Sequence, residues 1–281
     1  MRIFRSFFLL LPVVLVASCA PTGFYPLGKS ARTAYRDQQK KMSSGYGDFV
    51  PVQLPLDSLS VSSILAPSSN FDIRTPDLVI LHHTAQDGCM QSLKTLTNPA
   101  VRGRVSSHYL VCKDGTVYQL VNEQYRAWHA GVSSWGNIAN VNSASIGIEL
   151  DNNGHEPFGE KQIAALLVIL HSLKERYHIP VANFVGHGDV APGRKVDPSG
   201  FFPWKKLADN GYGYWQDSVL VAPSEDFDYK AALRVIGYNL RDTTAAILAF
   251  KRHFIPADTT AALSPENKQV LYDIEQKYLT H

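Results

Sequence analysis

The chain is short of several things, and each shortage excludes a class. Its longest apolar run, residues 7–16, is about half of the roughly 20 residues that a bilayer-spanning helix needs, so a membrane span is ruled out and a targeting segment remains. Charge of one sign is not in excess: 27 Lys and Arg against 25 Asp and Glu leave +2, which argues against a nucleic-acid partner held by counterion release. No His-Glu-x-x-His occurs, so the zinc-protease helix is missing. The three cysteines, Cys19, Cys89 and Cys112, all precede the later half of the chain, so a metal site there is not closed by thiolates as structural zinc sites commonly are. What is plentiful is apolar residue, 45% of 281, enough for a sizeable packed core with room for a second, small domain.

The N-terminus reads as a signal peptide over 1–18, with Arg2 and Arg5 before the apolar run and Ala17-Ser18 after it. Val16-Ala17-Ser18-Cys19 resembles a lipobox, which implies a mature chain lipidated at Cys19; an ordinary cleavage site beside an incidental cysteine is the alternative. Ala20 rather than Asp follows, which in the lipoprotein pattern favours the outer membrane, so the expected location is its periplasmic face. Residues 19–70, with scattered Pro, Ser and Gly, are expected to form a tether, parts of which pack on the core through apolar residues near 49–52 and 59–65. Cys89 and Cys112 could pair in such a compartment, and two separate buried thiols fit as well.

From 71 to 215 strands and helices mix. Residues 78–81 are all apolar, as in a strand buried on both faces. Lys113-Asp114-Gly115, between strand-like 106–112 and 116–121, signals a hairpin because Asp-Gly suits a positive-φ turn. Alternation over 145–150 sets Ile146, Ile148 and Leu150 on one face and Ser145, Gly147 and Glu149 on the other. From 159 to 177 the period becomes helical, and Pro180 marks the stop. Residues 184–187 fit one more strand, and 188–203 form a Gly- and Pro-rich loop. Helices are predicted over 229–238, 243–254 and 265–278, with Asp242 and Ser264 as N-caps. The expected fold class is therefore α/β, a mixed central sheet flanked by helices, plus a small helical unit over 225–281. A monomer is expected.

Chemistry concentrates at the ends of these strands. His82 and His83 close the first one; strand neighbours face opposite ways, so only one of them can join a given metal, and alternation does not choose between them. His187 and Asp197 bracket the Gly/Pro-rich loop. Two imidazoles and one carboxylate leave room for a water, the arrangement of zinc hydrolases. Glu149, on an otherwise apolar strand, needs a cleft or a partner and is the candidate acid; a water-facing edge carboxylate is the plain alternative. Lys195, two residues before Asp197, is a candidate for stabilising developing negative charge. His108, Tyr109, Trp128 and His129 could line a substrate groove, with Trp128 equally suited to the core.

The ordered set Ile80-Leu81-His82-His83-Thr84, Ser106-Ser107-His108-Tyr109, Ala127-Trp128-His129-Ala130-Gly131, Ser145-Ile146-Gly147-Ile148-Glu149 and Gly186-His187-Gly188-Asp189 is similar to the zinc-dependent N-acetylmuramoyl-L-alanine amidases, which share their fold with peptidoglycan recognition proteins. The resemblance implies Zn2+ held by His82, His187 and Asp197, Glu149 as catalytic acid/base and Lys195 as its basic companion. It also implies cleavage of the amide between N-acetylmuramic acid and L-Ala in peptidoglycan or muropeptides. His83 stands where Tyr or Asn is usual. The helices of 225–281 resemble the peptidoglycan-binding unit that accompanies such amidases. A non-catalytic peptidoglycan-binding envelope lipoprotein is the rival reading.

Overall fold

In chain order the elements are α1 (Lys29–Met42), β1 (Gln53–Leu56), β2 (Leu59–Leu65), β3 (Phe71–Ile73), β4 (Leu78–His83), α2 (Cys89–Thr97), β5 (Tyr109–Val111), β6 (Val117–Gln119) and β7 (Tyr125–Ala127). They continue with α3 (Val141–Ala144), β8 (Ser145–Leu150), α4 (Glu160–Tyr177), β9 (Phe184–Gly186), α5 (His187–Val190), α6 (Trp204–Ala208), α7 (Tyr229–Ile236), α8 (Thr243–Phe254) and α9 (Pro265–Leu279). The computed structural model describes residues 29–42, 53–56, 59–65, 68, 71–73, 76–100 and 103–280; the signal segment and Cys19 lie outside them.

Among the described residues seven strands form a mixed sheet in the order β1-β2-β6-β5-β8-β4-β9. The expected hairpin joins β5 to β6, antiparallel, with Gly115 at φ 90° in its turn. β4 runs parallel to both β8 and β9, so three strands end at the same edge of the sheet. Open α/β sheets bind ligands beyond the carboxyl ends of such strands.

The expected tether over 19–70 is corrected in part. β2 pairs with β6 and β1 with β2, which widens the sheet, and Lys29–Met42 is helical. The stretch 59–65 carries Val61, Ile64 and two leucines, residues that suit a pleated strand paired on both sides. The helix escapes a periodicity search because it is almost wholly polar, yet Ala, Arg, Gln and Lys are good helix formers. Its Tyr35 is buried in one cluster with Leu93, Leu96 and Leu110.

Both faces of the sheet are covered. On one, Val79, Leu81, Ile146 and Ile148 pack with Ile163, Leu166, Leu170 and Leu173 of α4. On the other, Leu78, Ile80 and Val185 join Leu233, Ile236, Phe250 and Leu271 from α7, α8 and α9. Each such fully buried side chain contributes about 1.5–3 kcal/mol. The helical unit expected over 225–281 thus lies on the sheet and shares its core. Asp242 and Ser264 cap α8 and α9 as predicted, accepting hydrogen bonds from Ala245 N–H and Asn267 N–H. Cys89 and Cys112 are joined by a disulfide, which ties α2 to the end of β5.

Candidate metal centre and its pocket

The strand period decides which side chains meet. Leu78 and Ile80 face the C-terminal helices and Val79 and Leu81 face α4, so His82 continues the first row and His83 the second. Register sets His82 beside Glu149 of β8 and Leu81 beside Gly186 of β9. His187 follows Gly186 directly and opens α5, whose Asp189 caps it by accepting from Gly186 N–H at 2.7 Å. The loop beyond returns when Gly188 N–H donates to Asp197 O at 2.7 Å, which brings the carboxylate alongside His187.

Three atoms converge. His82 Nδ1, His187 Nδ1 and Asp197 Oδ2 lie 3.0 Å from one another in each pairing. The outer nitrogens are committed elsewhere. His187 Nε2 sits 3.1 Å from Ala130 O, so its N–H donates there; Arg194 Nη2 is 3.3 Å from the same nitrogen but makes its shorter bond, 2.5 Å, to that carbonyl. His82 Nε2 donates to His129 Nδ1 at 3.1 Å, His129 Nε2 to Ser145 Oγ at 3.3 Å, and Ser145 Oγ to Val141 O at 2.6 Å. These assignments follow from the acceptors available. They leave both Nδ1 lone pairs and a carboxylate oxygen facing one point with no proton among them. A cation satisfies that arrangement, and two imidazoles with one carboxylate suit zinc, whose tetrahedral bonds of about 2.0–2.1 Å set ligand atoms about 3.3 Å apart. Among the described residues this is the group able to hold a metal.

His129 reaches His82 only because residue 147 is glycine: a Cβ there would lie 2.3 Å from the His129 ring. Its backbone is also fixed, since Asn142 Oδ1 accepts from His129 N–H at 3.1 Å and from Ala130 N–H at 2.9 Å. From behind, the helical segment grips the ligand loop. Tyr238 OH donates to Asp189 Oδ1 and His253 Nδ1 to Asp189 Oδ2, each at 2.8 Å, and the His253 ring stacks on Trp204.

Electrostatics follow from burial and neighbours. Burial pushes Asp197 up, but the His187 and His82 imidazoles set against it outweigh burial and hold the carboxyl well below the ordinary range. Burial, with His187 nearby, lowers His82 to about 4, so it is neutral at pH 7. Burial and the Asp197 charge raise Glu149 to about 8 against a pull from Lys195, and its Oε2 is buried without a hydrogen-bond partner. A pocket of about 350 Å3 opens over these groups, with Thr84, Trp128, Glu149 and Lys195 on its walls.

The family model for N-acetylmuramoyl-L-alanine amidase matches residues 72–200. The N-acetylmuramoyl-L-alanine amidase AmiD of Escherichia coli (strain K12) is 36% identical over 233 residues, 72% of this chain and 83% of that protein. This chain belongs to the N-acetylmuramoyl-L-alanine amidase family. Amidase structures superpose over most of it. The complex of E. coli AmiD with anhydro-N-acetylmuramic acid-L-Ala-D-gamma-Glu-L-Lys matches with TM-score 0.64 and 30% identity, covering 80% of this chain and 98% of that one. AmpDh3 from Pseudomonas aeruginosa gives TM-score 0.66 and 29% identity over 84% of this chain and 98% of its own.

Within this amidase the sequence-predicted residues fall into two groups. His82, His187, Asp197, Glu149, Lys195, Trp128 and His129 all border the pocket. His108 and Tyr109 do not, which corrects the groove reading. His108 is spent on backbone, Nε2 donating to Tyr125 O and Nδ1 accepting from Gly147 N–H, each at 2.9 Å. Tyr109 is fully buried on the α4 face and donates to Glu123. His129, expected on substrate, instead hydrogen-bonds His82 of the triad. His83 lies outside the triad, borders the same pocket and accepts from Ser199 N–H at 3.1 Å, bracing the chain just past Asp197. Sequence reasoning missed Asn142, Asp189, Tyr238 and His253. Of these only Asp189 carried a signal, as a carboxylate two residues after a ligand.

Proposed function

We propose that the chain is a zinc-dependent hydrolase that cuts the amide between the lactyl group of N-acetylmuramic acid and L-Ala in peptidoglycan or its soluble fragments. The carrying observation is the convergence of His82 Nδ1, His187 Nδ1 and Asp197 Oδ2 at 3.0 Å beside a buried Glu149 Oε2 that has no hydrogen-bond partner. His82, His187 and Asp197 would hold a zinc ion, which would supply Lewis acidity for a water and a carbonyl and favour the ionised form of Glu149. Glu149 then accepts the proton of the attacking water, holds it on its carboxyl, and delivers it to the departing L-Ala amine. Lys195, on the pocket wall, faces the negative charge that develops on the former carbonyl oxygen. His187 and His82 keep their ligand lone pairs aimed through the bonds to Ala130 O and His129. The tripeptide in the AmiD complex supports muropeptides as the substrate class.

The proposal extends to location, a lipid anchor at Cys19 on the periplasmic face of the outer membrane. The Val16-Ala17-Ser18-Cys19 motif supports it, and the Cys89–Cys112 disulfide suits an oxidising compartment. Replacing Cys19 with Ala should move the protein from the membrane to the soluble fraction; an unchanged distribution would refute the anchor.

The activity is tested by product analysis with an anhydro-muramyl peptide, before and after chelation and zinc restoration. Free peptide beginning with L-Ala, lost on chelation and regained with zinc, is the expected result. Tight binding without cleavage by zinc-loaded protein would instead favour a recognition module.

A further inference from the structure

One wall of the metal pocket is a helix that its own sequence holds poorly. α2 brings Ser92, Thr95 and Leu96 to the pocket, and Gln86 just ahead of it lines the same space. The helix has nine residues, short of the about 12–15 at which a favourable sequence stands alone in water. Gly88 at its N-cap offers no side chain to the first N–H groups, and the first turn carries no acid. Ser92, Thr95 and Thr97 turn their hydroxyls back on the carbonyls of Gly88, Gln91 and Leu93, bonds that do not reach the sheet. Thr95 Oγ1 also receives Gln86 Nε2 at 3.1 Å, again from within the segment. The residues on either side, 84–88 and 103–107, are irregular.

What sets α2 in place therefore comes from outside it. Leu93 and Leu96 pack with Leu110 and Tyr118 of the β5–β6 hairpin. Cys89 lies on the same seam one turn earlier and is bonded to Cys112, where β5 ends. β5 pairs with β8, Leu110 beside Glu149, so the bond fastens the pocket wall next to the strand that bears the candidate acid.

We propose that Cys89 and Cys112 are a positioning pair for the substrate: their bond latches α2 against the pocket, and once it opens the wall moves off the bound muropeptide. The inference rests on the amidase reading. The latch acts on substrate affinity and not on the metal, because α2 supplies wall residues and none of the triad. His82 belongs to β4, His187 to α5 and Asp197 to the loop beyond, and none of these carries a cysteine. The bond joins residues 23 apart in sequence, so with it closed the helix cannot wander far from the end of β5. Full substrate affinity is then a property of an oxidising compartment.

The test compares kcat and KM on anhydro-muramyl-L-Ala-γ-D-Glu-L-Lys for three zinc-loaded forms: oxidised wild type, the same protein after reduction, and the double variant Cys89→Ser with Cys112→Ser. Wild type is folded before it is reduced. The reductant is a water-soluble phosphine, since dithiols bind zinc. Phosphorus attacks the half-exposed Cys89 Sγ and the buried Cys112 leaves as a thiolate that takes a proton. Water then converts the phosphorus adduct to phosphine oxide and the Cys89 thiol, so phosphorus supplies the two electrons. If the docked form of α2 falls to about a tenth of the population, KM rises about tenfold. That rise is expected after reduction and in the double variant, with kcat and zinc affinity within about twofold of the oxidised form. Oxidised glutathione, which takes up the two electrons and re-forms the bond, should restore KM, and the double variant should ignore the phosphine. Amide hydrogen exchange should quicken over 89–97 and hold steady over 184–190. An unchanged KM on reduction would overturn the proposal. So would a fall in zinc affinity, or faster exchange across the whole sheet, either of which would make the bond a general staple. Should the oxidised protein cleave nothing yet bind the same compound about tenfold more tightly than the reduced form, the amidase reading fails and the latch stands.

Discussion

Two buried polar clusters sit on opposite faces of the same sheet, and they are finished differently. On the α4 face Glu123 accepts from Tyr109 OH, from Arg176 and, at 2.8 Å, from Tyr177 OH, so one carboxylate is met by three donors. On the other face Asp197 Oδ2 and two imidazole Nδ1 atoms converge at 3.0 Å, and with the outer nitrogens donating elsewhere they meet as three acceptors. The first cluster is complete as protein. A cation would complete the second. Burial alone therefore does not mark a functional site; the balance of donors and acceptors does, because an unmet buried acceptor is costly unless something else supplies the charge.

That contrast can be broken from either side. The largest effect belongs to Glu149. Glu149→Gln should lower kcat by about 10^2–10^4 while zinc affinity stays within a few-fold, as steady-state kinetics and chelator competition would read. A fully active variant would remove Glu149 from the mechanism. The same substitution has a pH signature in metal-free protein. Glu149 is raised from 4.5 to about 8 on folding, so the stability of wild type is complete below the ordinary carboxylate range and is lost as pH rises through it toward 8. Metal-free Glu149→Gln should gain Tm on wild type across that window and match it at pH 4.

A smaller effect belongs to the brace behind the triad. His129→Ala should weaken zinc binding about 10–100-fold, and His129→Asn, whose amide oxygen can stand where Nδ1 accepts from His82, should recover part of it. The readouts are chelator competition and the cobalt absorption spectrum of the site. Equal zinc affinity in all three proteins would reduce His129 to packing. The smallest effect on the metal is expected across the sheet: Glu123→Gln should cost about 1–3 kcal/mol of stability by denaturant titration and leave zinc affinity unchanged. A loss of metal there would erase the distinction between the clusters.

Much of this was legible from local pattern. The alternation over 145–150 sets Glu149 on the pocket face, the helical period of α4 and the caps of α8 and α9 fall where side-chain chemistry puts them, and His82 with His83 could be narrowed to one ligand. The choice of His82 came from resemblance, because a strand's two faces are equivalent until something packs on them. Long-range partners were beyond reach for the same reason. His108 and His129 share a residue type and a neighbourhood in sequence, yet one is consumed by backbone at 125 and 147 and the other by a ligand at 82. The docking of α7 to α9 was hidden because an apolar stripe serves an independent bundle as well as it serves a sheet face. The polar helix α1 offered no stripe at all.

The grip of Tyr238 and His253 on Asp189 bears on how such a protein can be taken apart. A version ending near residue 215 would lose two of the three donors to that carboxylate and lay bare Leu78, Ile80 and Val185. The catalytic half is thus not a cassette to which a binding half was appended. Grafting, truncation or shuffling would have to carry both halves together, and inherited change in the helices can reach the triad without touching any of its three residues.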